Sequence, residues 1–291
     1  MSRITIPEMD AMDISSSELM NMLNEMCGLY VEKLEKLYPS TAIDDVGGYV
    51  RQICAKVVRM SRTLEIVAGQ EHDYVVSNCI IRCMADNVAS LLFVYDRSTD
   101  EMLLRHFLFV IDGISTRHQM KLEKPIVKDD QISQVEFDAL KKQIDDSIEN
   151  ERECLDFCIK AVRGLPYYAE HMEQCEVLLE KNNWKFVDIE KPKMSIKWEQ
   201  MYDVLKLKSE DIFPFLSQYV HGLSASNIVT PYSEDDFQPI WSFAIVLMGK
   251  LREFMEKFYG LPIDKVGISA TELFALTPDR YLKKLFERTG F

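Results

Sequence analysis

Glycine and proline are scarce in this chain, eleven and ten among 291 residues, and they fall mostly at joints between apolar-periodic stretches. No run of strict polar–apolar alternation is bounded by turn residues, and no hairpin dipeptide is flanked by strand-like segments. Many-stranded sandwiches and barrels are thereby excluded. Gly47-Gly48 is the only glycine pair, and neither a Gly-x-x-x-x-Gly-Lys-Ser/Thr loop nor a Gly-x-Gly-x-x-Gly fingerprint occurs. The standard phosphate-cradling loops are absent.

Positive charge is also in short supply. Lysine and arginine number 34 against 47 acids, a formal charge of −13, which repels nucleic-acid backbones and makes general nucleic-acid binding a poor expectation. The basic cluster Lys191, Lys193, Lys197, Lys206 and Lys208 reads as a solvated hinge and helix surface. Long hydrophobic runs are missing too: LLFVY (91–95) and FLFVIDGI (107–114) are too short to span a bilayer, so no membrane association is expected. The opening residues MSRITIPEMDAMD hold no apolar signal core. Seven scattered cysteines suit reduced, core-packed thiols in a cytoplasmic protein.

Cysteine-x-x-cysteine and His-x-x-x-His spacings do not occur. Cys79/Cys83 and Cys154/Cys158 each put two thiols on one helix face without a third ligand, so they read as core residues. Neither a metal nor a cofactor is expected.

What is present is helical periodicity almost throughout. Leu19, Met22, Leu23, Met26, Leu29, Tyr30, Leu34 and Leu37 trace one stripe that starts after Asp13 or Ser15–Ser17 and ends at Tyr38-Pro39. Further helices are predicted over 43–67, 73–95, from Ser98–Glu101 to about residue 120, over 133–163, and from Pro166 to about 182. After an aperiodic stretch at 183–196, helices are predicted over 197–205, 211–225 and 234–259. The fold class that follows is all-α, a multi-helix bundle of long antiparallel helices. It would comprise an N-terminal bundle (1–125) and a C-terminal helical region (126–291) packed on it, or one continuous domain.

The third predicted helix carries an unusual strip. In NCIIRCMADN, Asn78, Arg82 and Asp86 lie four residues apart, at about 0°, 40° and 80° around the helix. Ala89 and Phe93 fall in the same arc, so the strip is expected to face protein, where buried charges need partners. Arg105 and Asp112 share a face of the next helix, and two antiparallel helices would set Arg82 against Asp112 and Asp86 against Arg105. The preceding helix adds Arg59, Arg62 and Glu65. Such a cluster is either an ion network fixing helix register or an arginine-lined pocket for a small anionic or nucleotide-like ligand. The ligand-binding candidates are Arg62, Glu65, Asn78, Arg82, Asp86, Arg105 and Asp112.

Ser217 and His221 stand one turn apart in FLSQYVHG, a hydroxyl beside an imidazole, although no orienting acid or oxyanion site is local. The arginine–histidine spacing of helical ribonucleases is absent: Arg62 to His72, Arg97 to His106 and Arg163 to His171 are too far apart, and Arg105-His106 and Arg117-His118 are adjacent.

Arg62-Thr-Leu-Glu65, Arg82-x-x-x-Asp86 and Ser217-x-x-x-His221-Gly together resemble a family of bacterial all-helical proteins of unknown function, some encoded near defence genes. The resemblance covers about residues 45–225. It implies a helical bundle in which these polar residues converge, and it brings no activity with it.

Three functions are therefore expected. The first is a cytoplasmic protein of interaction or sensing type, in bacterial stress or phage defence, with an internal Arg/Asp cluster. The second is a hydrolase or nuclease using His221, with Ser217 and Asp86 as further catalytic candidates. The third is a structural bundle that engages a protein partner, or a second copy of itself, through a Met-rich first helix (Met9, Met12, Met20, Met22, Met26).

Overall fold

The computed structural model of the protein describes residues 15–205, 212–221 and 232–261. Met9, Met12, Lys206, Lys208, the stretch toward Ala225 and the segments after residue 261 lie outside the described residues. Within them the fold is all-α: ten α-helices, a short 3-10 turn (Tyr202–Leu205), and no strand beyond one isolated bridge, Phe186 to Ser195.

Two compact units divide the chain, and the division does not fall near residue 125. One unit gathers the described residues up to Ala89 with those from Leu205 onward; the other is Ser90–Val204. Position 125 is no boundary because the helices on either side of it pack together, while the last described helix returns to the first two.

In the first unit, α1 (Ser16–Leu37) begins with a capping box in which Ser15 and Glu18 satisfy each other's backbone N–H groups. Met20, Asn24, Cys27, Val31 and Leu34 are buried at steps of three and four, with Tyr30 beside them. Of the stripe expected from periodicity only Tyr30 and Leu34 are buried, while Leu19 and Leu37 are exposed, so the inward face is rotated from the expected one. Fully burying a side chain such as Leu34 contributes about 2 kcal/mol. α2 (Val46–Gly69) buries Val50, Cys54, Val57, Val58, Leu64 and Ala68. Glu35 meets Arg51 near the turn, and Gly28 meets Arg62 farther from it, so α1 and α2 form an antiparallel hairpin.

The turn between them is tight. Asp45 caps α2 by accepting from the Gly48 amide at 3.0 Å, and a Cβ on Gly48 would overlap the Ser40 carbonyl. α10 (Glu234–Tyr259) lies against both helices. It opens on Glu234, Asp235 and Asp236, which favour a helix N-terminus, and ends at Gly260 with φ 62°. Tyr259 donates to the Gly47 carbonyl at 2.8 Å, and Tyr30 donates to the Leu261 carbonyl at 2.6 Å.

α3 (Tyr74–Tyr95) starts in the first unit and ends in the second. By length and composition it is apolar enough to cross a membrane, with a mean hydropathy of 1.3 over its most apolar window, a property that the short runs seen in the sequence hid. In this structure 44% of that window is buried inside the protein. α9 (Ile212–Val220) belongs to the first unit.

The second unit holds α4 (Thr99–Glu123), α5 (Gln134–Arg163), α6 (Pro166–Glu170), α7 (Met172–Glu180) and α8 (Trp198–Met201). Lys121 reaches across from α4 to Glu151 and Ser147 of α5, at 2.8 and 2.6 Å. Arg163 grips Glu176 through two bonds of 2.8 and 3.0 Å, and Tyr168 adds a third. Together they hold the Glu176 carboxyl down to about 2.

Gly48→Ala forces a Cβ onto backbone that cannot swing aside. It is expected to lower unfolding free energy by about 1–3 kcal/mol in urea titrations. A loss within experimental error would mean that the turn accommodates the methyl group.

Candidate functional site

The polar strip of α3 is met inside the first unit. Arg82 pairs with Asp86 one turn along, Nε to Oδ1 at 3.1 Å, and its Nη1 donates to Ser217 Oγ of α9 at 2.8 Å. Asn78 is buried and donates its amide to the Tyr74 carbonyl at 2.8 Å. Arg82 ties α9 to α3, Asp86 holds Arg82 in place, and Asn78 bonds a carbonyl of its own helix.

Arg105 and Asp112 find their partners in the second unit, and the expected pairings of Arg82 with Asp112 and Asp86 with Arg105 are not made. The fully buried Arg105 guanidinium bonds Glu101 through Nε at 2.8 Å, and the Trp184 and Phe186 carbonyls through its two terminal nitrogens at 3.2 and 3.0 Å. Its planar head lies between the rings of Phe93 and Phe186, 4.6 and 3.7 Å from their centroids. Burial pulls the Arg105 pKa down, and Glu101 opposes that shift. Asp112 accepts from the Trp184 indole at 3.0 Å. The aperiodic segment around residues 184–186 supplies these partners. Carbonyl acceptors have no residue-type signature, so sequence spacing favoured a carboxylate instead.

Of the catalytic candidates, Ser217 and Asp86 are brought together by Arg82, and His221 makes no side-chain bond to either. His221 is exposed at the end of α9 and makes no side-chain hydrogen bond or ion pair among the described residues, while Ser217 accepts from Arg82. Asp86 is committed to Arg82. Nor are the cysteines uniformly core: Cys27, Cys54, Cys158 and Cys175 are buried, Cys79 and Cys154 are half-buried, and Cys83 is exposed. The inward face of α3 runs through Ile81, Met84, Ala85 and Val88, which leaves residue 83 outward. Among the described residues no three His, Cys, Asp or Glu side chains gather in a way that would hold a metal.

Among the described residues an open cleft lies between α1 and α2. This cleft of about 440 Å³ is lined by Gly28, Val31, Glu32 and Glu35 from α1, Thr41 from the turn, and Arg51, Gln52, Ala55, Val58, Arg59 and Arg62 from α2. Arg51, with its side chain 7% exposed, bonds Glu35 at 3.3 Å, yet its Nε is buried without a partner. Arg59 and Arg62 are exposed and make no hydrogen bond or ion pair through their guanidinium groups among the described residues. Gly28 admits Arg62, because a Cβ there would overlap its guanidinium.

Beyond Arg62 the same seam holds Asn24, Ser61 and Glu65. Asn24 and Ser61 are fully buried, and both Asn24 amide atoms, Ser61 Oγ and Glu65 Oε1 lack hydrogen-bond partners among the described residues. Burial raises the Glu65 carboxyl above its ordinary range. Asn24 stands close enough to oppose this without reaching hydrogen-bond geometry; Glu25 adds to the rise and Arg62 counters it.

Of the sequence candidates, then, Arg62 lines the cleft, Glu65 lies on its inner continuation, and the others serve as internal fasteners. Arg51, Glu32, Glu35, Gln52 and Thr41 were not among the candidates. One signal for the arginines was legible: residues 51, 59 and 62 fall within about 80° of one helical face. No protein-family model, curated protein or solved structure matches this chain.

Replacing Arg105 with Met removes the donor from two buried carbonyls and one carboxylate. It is expected to cost about 3 kcal/mol of stability by chemical denaturation; a loss under about 1 kcal/mol would rule out Arg105 as the anchor of the 184–186 segment.

Glu65 holds its proton more tightly folded than unfolded, so its ionisation destabilises the fold as pH rises from 4.5 through the raised value. Glu65→Gln is expected to be the more stable protein at neutral pH, with the difference closing as pH falls to 4.5. A difference that does not vary with pH would exclude this linkage.

Proposed function

We propose that this is a small-ligand binding protein of sensing type, which takes a compact anion, a phosphate or carboxylate group on a small molecule, into the α1–α2 cleft. One observation carries the reading: three arginines line a single cleft, and among the described residues two have no ion pair and the third buries an unpartnered Nε. A bare buried N–H costs about 1–3 kcal/mol, which an acceptor entering the cleft would recover. Guanidinium groups present forked donors that match phosphate and carboxylate oxygens. The cleft volume is in the range of small-molecule sites, and Val31, Ala55 and Val58 offer an apolar floor for the rest of a ligand. Seven unpaired thiols support a reducing, cytoplasmic setting.

The test is thermal unfolding of the full chain with increasing ethyl phosphate, at constant ionic strength. The wild type is expected to gain melting temperature with ligand concentration. Arg59→Ala and Arg62→Ala, each at an exposed position, are expected to leave the ligand-free melting temperature nearly unchanged and to weaken binding about ten-fold. An absent shift in the wild type, or equal shifts in the variants, would overturn the proposal.

A further inference from the structure

We infer that the ligand of the α1–α2 cleft is amphoteric: two negative charges, on one phosphate or on two carboxylates, for Arg59 and Arg62, joined to an ammonium or similar cationic donor for Glu32. The inference rests on the anion reading above and narrows it.

Five charged side chains line the cleft, and Arg51 and Glu35 neutralise each other at 3.3 Å. Arg59, Arg62 and Glu32 remain, each without a hydrogen bond or ion pair through its charged group among the described residues. Two positive charges and one negative charge thus face the same space. A ligand with only negative charge would satisfy the arginines and be repelled by the Glu32 carboxylate.

Position sets the spacing. Arg62 covers the α-carbon of Gly28, and Glu32 is one turn further along α1, about 6 Å along the axis. An anionic group and an amine separated by about two or three carbons match that interval. Phosphate monoesters of amino alcohols and the acidic amino acids share this chemistry, with two negative charges and one positive. Complementarity of this kind selects a ligand more than it tightens binding, because the Glu32 carboxylate repels an anionic analogue that lacks the positive charge.

Isothermal titration of the full-length protein separates the possibilities through matched pairs: O-phosphoethanolamine against ethyl phosphate, and L-glutamate against glutarate. In the wild type the amine-bearing member of at least one pair is expected to bind about five-fold tighter. Preference in the first pair assigns a phosphate monoester, and preference in the second an amino acid. Glu32 is exposed, so Glu32→Gln is expected to fold normally, to lose the preference, and to bind the amine-free analogue as tightly as before or better. If the amine-free analogues bind as well as their partners in the wild type, or the preference survives Glu32→Gln, the inference fails while the anion reading stands. If none of the four compounds binds, the anion reading itself fails and the inference falls with it.

Discussion

A guanidinium cannot be left bare in an apolar interior, and the architecture of both units depends on how that demand is met. Arg105 is the most complete case: three of its nitrogens are bonded, and both faces are covered by aromatic rings. Its two carbonyl partners belong to a segment without regular secondary structure, whose backbone would otherwise lack donors at those positions. The arginine therefore gives the segment around residues 184–186 its conformation as much as the segment shelters the arginine. Arg82 does comparable work in the first unit, joining Asp86 on its own helix to Ser217 on α9.

The α1–α2 hairpin departs from this pattern. Arg51 is paired through one nitrogen and bare at another, and Arg59 and Arg62 have no ionic partner among the described residues. Such groups are tolerable only beside solvent or a ligand, and the three border one cleft. The hairpin can hold that arrangement because its ends are constrained. Asp45 and Gly48 form the turn, the Tyr259 hydroxyl bonds the Gly47 carbonyl within it, and the Tyr30 hydroxyl ties α1 to the Leu261 carbonyl after α10. Rigid backbone lets unpaired side chains persist side by side instead of collapsing onto one another.

Helix positions were legible in the sequence for an elementary reason. Steps of three and four between apolar residues, with Ser15, Ser133 and Ser233 before acidic first turns, are local features that the helix itself reads. The polar strip of α3 was also legible as a strip, since it needs only the helical period. Its partners were not, because pairing depends on which helices lie side by side. Ser217 is separated from Arg82 by 135 residues and Trp184 from Arg105 by 79. A nearest-neighbour helix was the natural expectation, and chain return made it wrong.

The sequence by itself therefore determined the class of fold, the extents of most helices and the residues that carry charge into apolar surroundings, because each follows from spacing along a single helix. Only the tertiary structure decided which of those charges are fasteners and which are open. That difference is set by long-range contacts. The return of α10 to α1 and α2, the docking of α9 on α3, and the placing of two backbone carbonyls against Arg105 all bring together atoms with no short-range relation in the chain. The same geometry left Arg59, Arg62 and Glu32 lining a shared cleft without ionic partners among the described residues.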